Sequence, residues 1–338
     1  MEPVRSTPQT NPKVRQLKGR EHMRLDTDRL RVLLTGGHGM VGQAVRRAAS
    51  RSGLGWNIIA PQRRQVDLRD RDAVWHLFQE SRFDLVIHCA ARVGGIAANI
   101  EDPAGFLLDN LRLSLNVLEM ARDVGVPRVI NVGSSCMYPK DYPDLLREED
   151  LLAAPLEPTN EGYALSKLVG AKLCEYISRE GDYCYRTIIP CNLFGPGDEF
   201  SPDRSHLIAA AICKIQRALE TGCDSVEIWG DGEARREFLF VDDLAGFLIS
   251  IASRMDELPP YLNLGYGKDY TVNEYYRMVA RQMGFEGSFT YDRSKPIGMH
   301  RKLLASTRAA QLFNWSPRTS VEEGIRQTVH HFRSEGSV

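Results

Sequence analysis

Short apolar runs alternate with longer amphipathic stretches along the first part of the chain. The apolar runs predict strands at Leu30–Thr35, Trp56–Ala60, Asp84–His88, Arg128–Val132 and Tyr185–Pro190. Between them, apolar residues recur at helical spacing, which predicts helices at Val41–Ser50, Arg71–Glu80, Leu107–Val124 and Glu161–Arg179. Apolar strands that are each followed by a helix are typical of a parallel sheet covered on both faces. With right-handed crossovers, the predicted fold class is α/β, a doubly wound parallel sheet.

The rhythm of the chain changes after Phe194. The stretches Gly195-Pro196-Gly197 and Ser201-Pro202 predict loops. Beyond them the pattern predicts a helix at Leu207–Leu219 and short strands at Val226–Trp229, Phe238–Phe240 and Tyr261–Leu264. We therefore predict two lobes: a large one formed by residues 30–195 with returning segments at about 237–265, and a smaller α/β lobe formed by residues 196–236 and 266–338.

Residues 1–29 form a polar N-terminal segment that is rich in Arg and Lys and has no apolar periodicity. Such a composition cannot bury enough apolar surface to form a packed element. We interpret the segment as a disordered tail or as an over-long gene start, with Met23 as an alternative initiator. A targeting or interaction arm is the competing interpretation.

The charge and composition of the chain argue against several classes of binding partner. The formal net charge is −1 over 338 residues, so no overall field favours nucleic acid or a membrane surface. No run approaches the roughly 20 apolar residues that cross a bilayer. The seven cysteines contain no C-x-x-C pair, so we predict no metal site. Their odd number and the lack of an export signal favour free thiols in the cytoplasm.

A glycine-rich turn follows the first predicted strand and opens the first predicted helix. Its residues, with the spacing G-x-x-G-x-x-G, are Gly36, Gly37, His38, Gly39, Met40, Val41 and Gly42. Glycines let the backbone approach a pyrophosphate, and a helix N-terminus supplies free N–H donors. We therefore predict a dinucleotide site at this turn. The alternative is a tight turn whose glycines serve only packing.

The end of the second predicted strand distinguishes NADP from NAD. A carboxylate at this point usually binds the ribose 2′-hydroxyl of NAD. This chain has Arg63 and Arg64 instead, and a guanidinium matches the geometry of a 2′-phosphate. We therefore predict NADP(H) as the cofactor, with Asp67 and Leu68 beside the adenine. The alternative is that both arginines are ordinary solvated surface residues.

Tyr163 and Lys167 lie four residues apart in a predicted helix and therefore project from the same face. An ammonium near the phenol favours the phenolate and makes Tyr163 a usable acid near neutral pH. Ser134 follows the fourth predicted strand, at the sheet edge where active residues gather. Together they predict a carbonyl reductase, in which Ser134 binds the carbonyl that Tyr163 protonates. The alternatives are that Tyr163 and Lys167 are a chance pair on a helix and that Ser134 belongs to an ordinary polar loop after a strand.

These motifs together resemble the extended short-chain dehydrogenase/reductases, whose nucleotide domain is a Rossmann fold. More narrowly, they resemble the GDP-L-fucose synthase family, the GDP-4-keto-6-deoxy-mannose 3,5-epimerase-4-reductases. The resemblance covers the chain from about Leu30 to its C-terminal helix. The stretches that carry it are Ala90–Ile96, Gly133–Lys140, Leu156–Glu161, Tyr163–Lys167, Asn192–Pro196, Ser205–His206, Arg236–Phe238 and Val241–Asp243. The first three stretches are specific to this subfamily, whereas the glycine and Tyr/Lys motifs are shared far more widely.

The resemblance implies 3,5-epimerisation of GDP-4-keto-6-deoxy-D-mannose, followed by NADPH-dependent reduction at C4 to GDP-L-fucose. It assigns the proton transfers at C3 and C5 to Cys136 and His206. Reference pKa values of about 8.5 for a thiol and 6.5 for an imidazole let both groups exchange protons at cellular pH. Taken alone, Cys136 would more often be a buried apolar residue and His206 a loop or helix-cap residue.

The resemblance also implies further contacts. Cofactor contacts are expected at Ala90, Ser134, Lys167, Pro190, Asn192, Leu193 and His206. Substrate contacts are expected at Lys214, Trp229 and Arg236, since cations suit a diphosphate and an aromatic ring suits stacking. The family further implies a homodimer joined through the helices predicted at Leu107–Val124 and Glu161–Arg179.

The chain departs from the family pattern at two positions. Ile297 stands where the family usually has Asp, and its side chain cannot accept a hydrogen bond. His38 replaces a residue that is often Arg, which leaves Arg63 and Arg64 to bind the 2′-phosphate. A GDP-6-deoxy-4-keto-heptose is therefore a second possible substrate. Three further functions stay open, namely a 4-reductase alone, an epimerase alone and a cofactor-binding regulator without catalysis.

Overall fold

Strands and helices alternate along most of the chain in the computed structural model, which describes residues 27–140, 145–201 and 205–334. The strands are β1 (Arg31–Thr35), β2 (Asn57–Ile59), β3 (Leu85–His88), β4 (Arg128–Val132), β5 (Cys184–Pro190), β6 (Asn192–Phe194), β7 (Ser225–Trp229), β8 (Arg235–Phe240), β9 (Tyr261–Leu264), β10 (Asp269–Thr271), β11 (Ser288–Asp292) and β12 (Arg301–Lys302). The α-helices are α1 (Met40–Ser52), α2 (Arg71–Glu80), α3 (Ile96–Glu101), α4 (Pro103–Asp123), α5 (Glu161–Ile177), α6 (Leu207–Thr221), α7 (Val241–Ile251), α8 (Val272–Met283), α9 (Thr307–Phe313) and α10 (Val321–Ser334).

A six-stranded parallel sheet with the order β2-β1-β3-β4-β5-β9 forms the centre of the large lobe. Successive side chains of a strand point to opposite faces. Leu34 of β1 accordingly packs with Val45 of α1, whereas Leu33 packs with Val74 of α2 and Val117 of α4. Apolar cores therefore lie on both faces of the sheet. The predicted doubly wound α/β fold is confirmed.

The predicted elements are present with shifted ends, of which the largest is at α4. This helix begins at Pro103 rather than at Leu107, because the Asp102 side chain caps its first turn. Asp followed by Pro is a start signal that the sequence does contain. Helix α3 was not predicted, since six residues are too few to show a periodic pattern.

The C-terminal part contributes to both lobes. β8 pairs with β6, β10 and β12 in a small mixed sheet, and β7 pairs with β11. β9 instead completes the six-stranded sheet, and α7 packs on α1 through an ion pair of 2.6 Å between Asp242 and Arg47. The predicted lobe boundaries at residues 195, 236 and 265 stay a prediction.

The predicted N-terminal tail falls mostly outside the described part of the chain, which excludes residues 1–26. Residues Thr27–Arg29 form a short 3-10 turn. The Asp28 carbonyl accepts a hydrogen bond of 2.7 Å from the Gly55 N–H, so this end of the predicted tail contacts the large lobe. Among the described residues, no helix combines the length and the apolar character that a membrane span requires.

Candidate active site

The glycine turn lies between β1 and α1 and is closely packed at three of its glycines. Gly36 has a φ of +68°, and a Cβ there would lie 2.8 Å from the Ala90 backbone. A Cβ on Gly42 would lie 2.2 Å from the Gly36 carbonyl oxygen, and one on Gly37 would meet the Ala60 side chain at 2.5 Å. Packing alone therefore requires these glycines, as the alternative interpretation of the motif holds.

Gly39 is different, because packing does not explain it. The nearest atom to a Cβ at this position is the Gly36 carbonyl oxygen at 3.6 Å. Gly39 is the N-cap of α1, and no side chain caps that helix. Met40 and Val41 begin the helix at half-buried positions. An uncapped helix N-terminus beside a glycine with free space supplies N–H donors and room, so the residues present fit a pyrophosphate here.

The segment after β2 carries the two arginines predicted to bind a 2′-phosphate. Arg63 is 74% exposed and lies 3.8 Å from Asp67. Arg64 is exposed as well and forms no ion pair among the described residues. His38, a residue of the glycine turn, contacts the end of this segment, with its Nε2 at 3.2 Å from the Ala60 carbonyl oxygen. An exposed guanidinium beside the turn fits a phosphate on the adenosine ribose.

Asp67 and Leu68, predicted beside the adenine, have protein partners of their own. The Asp67 carboxylate accepts from Arg69 at 2.7 Å, and this hydrogen bond lowers the pKa of Asp67 to about 2. The side chain of Leu68 is buried in the core beneath β1 and β3. Arg69 also pairs with Asp109 of α4 at 3.3 Å, which fixes this segment against the large lobe.

Lys167 and Tyr163 lie on the face of α5 that meets the carboxyl end of β4. Lys167 is buried, and its Nζ donates to the Val132 carbonyl at 2.9 Å. Ser134, two residues beyond β4, shares a hydrogen bond with the Tyr163 phenol and accepts from the Cys136 N–H at 3.2 Å. The sequence motif and the residues after β4 therefore meet, as predicted.

The pKa of the Tyr163 phenol is raised, opposite to the lowering that was expected from Lys167. Burial raises the pKa of Tyr163, the nearby Cys136 raises it further, and the hydrogen bond with Ser134 lowers it less. The ammonium lies 6.0 Å from the centre of the phenol ring and donates to Val132 instead. Burial therefore has the largest effect on the pKa of Tyr163. Burial also lowers the pKa of Lys167, to about 8.

His88 is a buried polar residue of this region that the sequence analysis missed. It ends β3, with Nδ1 at 2.8 Å from Thr35 Oγ1 and Nε2 at 3.3 Å from Ser114 Oγ. Burial, with a smaller contribution from Lys167, lowers the pKa of His88 to about 3. The imidazole is therefore neutral and adds no second positive charge beside Lys167. A polar residue at the end of an apolar run was the available signal.

The Cys136 thiol is half-buried and has two polar neighbours that the sequence analysis did not single out. Asn160 Nδ2 lies 3.1 Å from the sulfur, and Lys302 Nζ lies 3.6 Å from it. The Asn160 Oδ1 atom is buried and has no hydrogen-bond partner within the described residues. An amide, a cation and a free acceptor therefore surround the predicted proton-transfer group.

Arg236 lies on the side of this site formed by the smaller lobe. β8 and β12 pair in parallel, with Lys302 opposite Arg236. Arg236 Nη2 donates to the Ile297 carbonyl at 2.7 Å. Burial lowers the pKa of Arg236, and the nearby Cys136 and Glu157 oppose that effect. A half-buried guanidinium that interacts electrostatically with the thiol is thus part of the same cleft.

His206, the second predicted proton-transfer group, precedes α6 as its N-cap residue. It is half-buried, and burial lowers its pKa. A Cβ on Gly95 would lie 3.3 Å from the Ser205 carbonyl oxygen, and one on Gly298 would lie 3.3 Å from Ile96 Cδ1 and 3.6 Å from Arg236 Nη2. The loop before α3 therefore connects the surroundings of His206 with those of Arg236.

Trp229 and two lysines form an exposed patch at the edge of the smaller lobe. Trp229 is 38% exposed, and the Nζ atoms of Lys214 and Lys295 each lie 5.5 Å from its ring centre. Ile297 bridges this patch and Arg236, because its side chain packs where a Cβ on Gly230 would be. The patch fits an anion beside a flat ring.

The remaining predicted cofactor contacts lie at or just beyond the carboxyl ends of β3 and β5. Ala90 donates its N–H to Thr35 Oγ1 at 3.3 Å, and Pro190 is buried at the end of β5. Asn192 Nδ2 donates to the Glu237 carbonyl at 3.0 Å, and Leu193 is half-buried. Within the part of the chain that the structure describes, no three His, Cys, Asp or Glu side chains are grouped to hold a metal ion.

The chain is similar in sequence and in fold to known proteins. The model of the NAD dependent epimerase/dehydratase family matches residues 32–265. A GDP-L-colitose synthase from Yersinia pseudotuberculosis is 44% identical over 90% of this chain and 99% of its own length. A GDP-L-fucose synthase from Azorhizobium caulinodans is 47% identical over 89% of this chain and 96% of its own length. A solved GDP-mannoheptose C4 reductase from Campylobacter jejuni with NADP bound is 27% identical, with a TM-score of 0.81, over 90% of this chain and 99% of that chain.

We predict that Arg64→Ala weakens NADPH binding by about 10- to 100-fold and leaves NADH binding nearly unchanged. A charge-assisted hydrogen bond contributes about 1.5–3 kcal/mol, and NADH lacks the phosphate that Arg64 would bind. Fluorescence titration with both cofactors measures the effect.

The matched control is Arg71→Ala, which removes an exposed arginine of α2 that pairs with Glu119 at 3.8 Å. Equal losses for NADH and NADPH with Arg64→Ala, or no loss for either, would contradict the assignment of this residue.

Proposed function

The chain belongs to the NAD dependent epimerase/dehydratase family, and from this premise we propose that it converts GDP-4-keto-6-deoxy-D-mannose into GDP-L-fucose. The reaction is a 3,5-epimerisation followed by NADPH-dependent reduction at C4, and it serves nucleotide-sugar biosynthesis. The 47% identity with a GDP-L-fucose synthase supports this substrate. The observation that carries the proposal is that Ser134, Cys136 and Tyr163 meet at the end of β4.

Ser134 and Tyr163 bind the oxygen of the C4 ketone in this proposal. Their hydroxyl groups lie within hydrogen-bonding distance of each other, so both can turn to donate to one ketone oxygen that lies beside them. Donors aimed at this oxygen stabilise the negative charge of the enolate that forms when C3 or C5 loses a proton. The same donors stabilise the alkoxide that develops at C4 during reduction. One site therefore serves both halves of the reaction.

Cys136 and His206 carry the proton transfers of the epimerisation. The Cys136 thiolate takes the proton from C3 or C5, and the electron pair of the broken C–H bond becomes the enolate. His206 then donates a proton to the opposite face of that carbon, which inverts it. Burial lowers the pKa of His206, so its imidazole is mainly neutral at pH 7; the protonated form that donates is the minor one and gives up its proton readily. Exchange with solvent restores both groups before the next inversion.

Tyr163 donates the proton that completes the reduction. NADPH, when bound, supplies the hydride to C4. Because burial raises the pKa of Tyr163, the phenol keeps its proton at neutral pH and can give it to the C4 alkoxide. Lys167, with a pKa of about 8, retains its charge there and binds the ribose hydroxyls of the cofactor. NADP-bound GDP-mannoheptose C4 reductase supports this cofactor.

The GDP part of the substrate binds to the smaller lobe. Trp229 stacks on the base, and the cations of Lys214 and Arg236 bind the diphosphate. The partly exposed ring with lysines 5.5 Å from its centre supports this assignment. We also expect the enzyme to work in the reducing cytoplasm, where the free thiol of Cys136 persists.

Two related sugars are the alternative substrates. The 44% identity with a GDP-L-colitose synthase favours a sugar without the C3 hydroxyl, for which only C5 would be inverted. A GDP-6-deoxy-4-keto-heptose keeps the same catalytic residues, but its support is weaker, since the solved heptose reductase is 27% identical. Comparison of kcat/KM for the three 4-keto sugars decides among them.

We predict that the protein oxidises NADPH with GDP-4-keto-6-deoxy-D-mannose and that NMR identifies the product as GDP-L-fucose. Tyr163→Phe should lower kcat by about 100- to 10,000-fold, the usual contribution of a positioned acid. Cys136→Ser should abolish formation of GDP-L-fucose but preserve the reverse oxidation of GDP-L-fucose by NADP+, which needs no epimerisation. An enzyme that is only a 4-reductase would instead give an uninverted product, and Cys136→Ser would not slow it.

We further propose a homodimer in which α4 and α5 of each protomer meet those of its partner. The two helices pack against each other, and they expose apolar side chains that a single chain leaves in water. These are Leu108 of α4 and Leu165, Val169 and Tyr176 of α5, with exposed fractions of 48%, 38%, 42% and 51%. Several large exposed apolar side chains on one pair of packed helices are typical of an interface.

We predict that light scattering gives twice the mass of the chain and that Val169→Glu shifts the protein to the monomer. A carboxylate buried in the interface without a partner would cost several kcal/mol. Leu312→Glu is the control, because Leu312 is 45% exposed on α9, away from both helices. A monomeric wild-type protein would contradict the proposal.

A further inference from the structure

Lys302 is a nearly buried cation whose contacts differ from those of the cations around it. It is 8% exposed, and its Nζ lies 3.6 Å from Cys136 Sγ. Across the described residues, it forms no ion pair with a carboxylate. Its neighbour Arg301, by contrast, pairs with Asp269 of β10. A buried ammonium is costly without a partner, and the Cys136 thiol is the partner that the structure shows for Lys302.

The pairing of β12 with β8 explains how the lysine reaches the sulfur. Lys302 lies opposite Arg236 in the parallel register, so both side chains leave the same face of this small sheet. Arg236 interacts electrostatically with Cys136. Asn160 Nδ2 also donates to the sulfur, at 3.1 Å. Two cations and an amide donor therefore converge on one sulfur atom.

We propose that Lys302 is a positioning residue that holds Cys136 as a thiolate for the epimerisation. This proposal rests on the proposed function, in which that thiolate removes the C3 and C5 protons. The lysine acts through Cys136 and needs no contact with the substrate. An opposite charge within 4–6 Å favours the ionised form of an acid and lowers its pKa by about 1–3.

Other charged and titratable groups also lie near the Cys136 thiol, and the effect of Lys302 adds to theirs. Arg236 of β8 is the second cation, and Glu157 lies near Arg236 and partly offsets it. Tyr163 of α5 is neutral, because burial and the nearby thiolate both raise its pKa. The reaction needs Cys136 as a thiolate and Tyr163 as a neutral phenol at the same time. Lys302 stabilises the Cys136 thiolate, and the charge of that thiolate in turn keeps the Tyr163 phenol protonated.

The experiment measures the rate of alkylation of Cys136 by iodoacetamide against pH, with mass spectrometry of the peptide that contains Cys136. Only the thiolate reacts, so the midpoint of the profile reports the pKa of the thiol. The free enzyme is used, without substrate, so the result does not depend on which sugar is the substrate. In the wild-type enzyme we expect a midpoint below the reference value of about 8.5.

In Lys302→Met we expect the midpoint to rise by about one pH unit, with alkylation about tenfold slower at pH 7. Lys302→Arg keeps the charge and should restore most of the wild-type profile. Arg301→Met is the matched control, because it removes the adjacent cation on the same strand and should leave the midpoint unchanged. Lys302→Met should also slow GDP-L-fucose formation and retain the reverse oxidation of GDP-L-fucose by NADP+.

A wild-type midpoint at or above the reference value overturns the proposal, whether or not any variant folds. An unchanged midpoint in Lys302→Met also overturns it, as does an equal rise in Arg301→Met. Failure of the proposed function has a different result: the alkylation profiles would shift as described, while no preparation would form GDP-L-fucose.

Discussion

The hydrogen bond of 2.9 Å from Lys167 Nζ to the Val132 carbonyl is the constraint on which the site depends. It joins α5 to the carboxyl end of β4. Because Tyr163 lies one helical turn before Lys167, the same bond fixes the phenol beside Ser134. An ammonium buried without such an acceptor would be costly. His88, neutral at the end of β3, adds no repulsion to this arrangement.

Burial and nearby charge then set the proton states that two successive reactions require. Burial keeps the Tyr163 phenol protonated, which is the form that donates hydrogen bonds to an enolate and a proton to an alkoxide. Lys302 and Arg236 bring positive charge to Cys136 from the smaller lobe. In the proposed reaction, the epimerase half therefore depends on residues of β8 and β12, whereas Ser134, Tyr163 and Lys167 of the reductase half lie on α5 and the segment after β4.

The sequence predicted those parts of the site that carry local signals. An apolar run followed by a glycine turn, or by Ser134, is visible along the chain because strand and site residue are adjacent. Lys302 and Asn160 have no such signal, since their contact with Cys136 depends on how distant segments pack. The register that sets Lys302 opposite Arg236 joins strands far apart in sequence. The sign of the Tyr163 pKa shift was missed because burial is a property of the fold.

The most direct test of one ketone-centred site is the reaction of GDP-4-keto-6-deoxy-D-mannose with unlabelled NADPH in deuterated water. The account predicts GDP-L-fucose with deuterium at C3 and C5, taken from solvent, and with ordinary hydrogen at C4, taken from the cofactor. NMR of the purified product reads all three positions at once. A reduced product that carries hydrogen at both C3 and C5 would contradict the account.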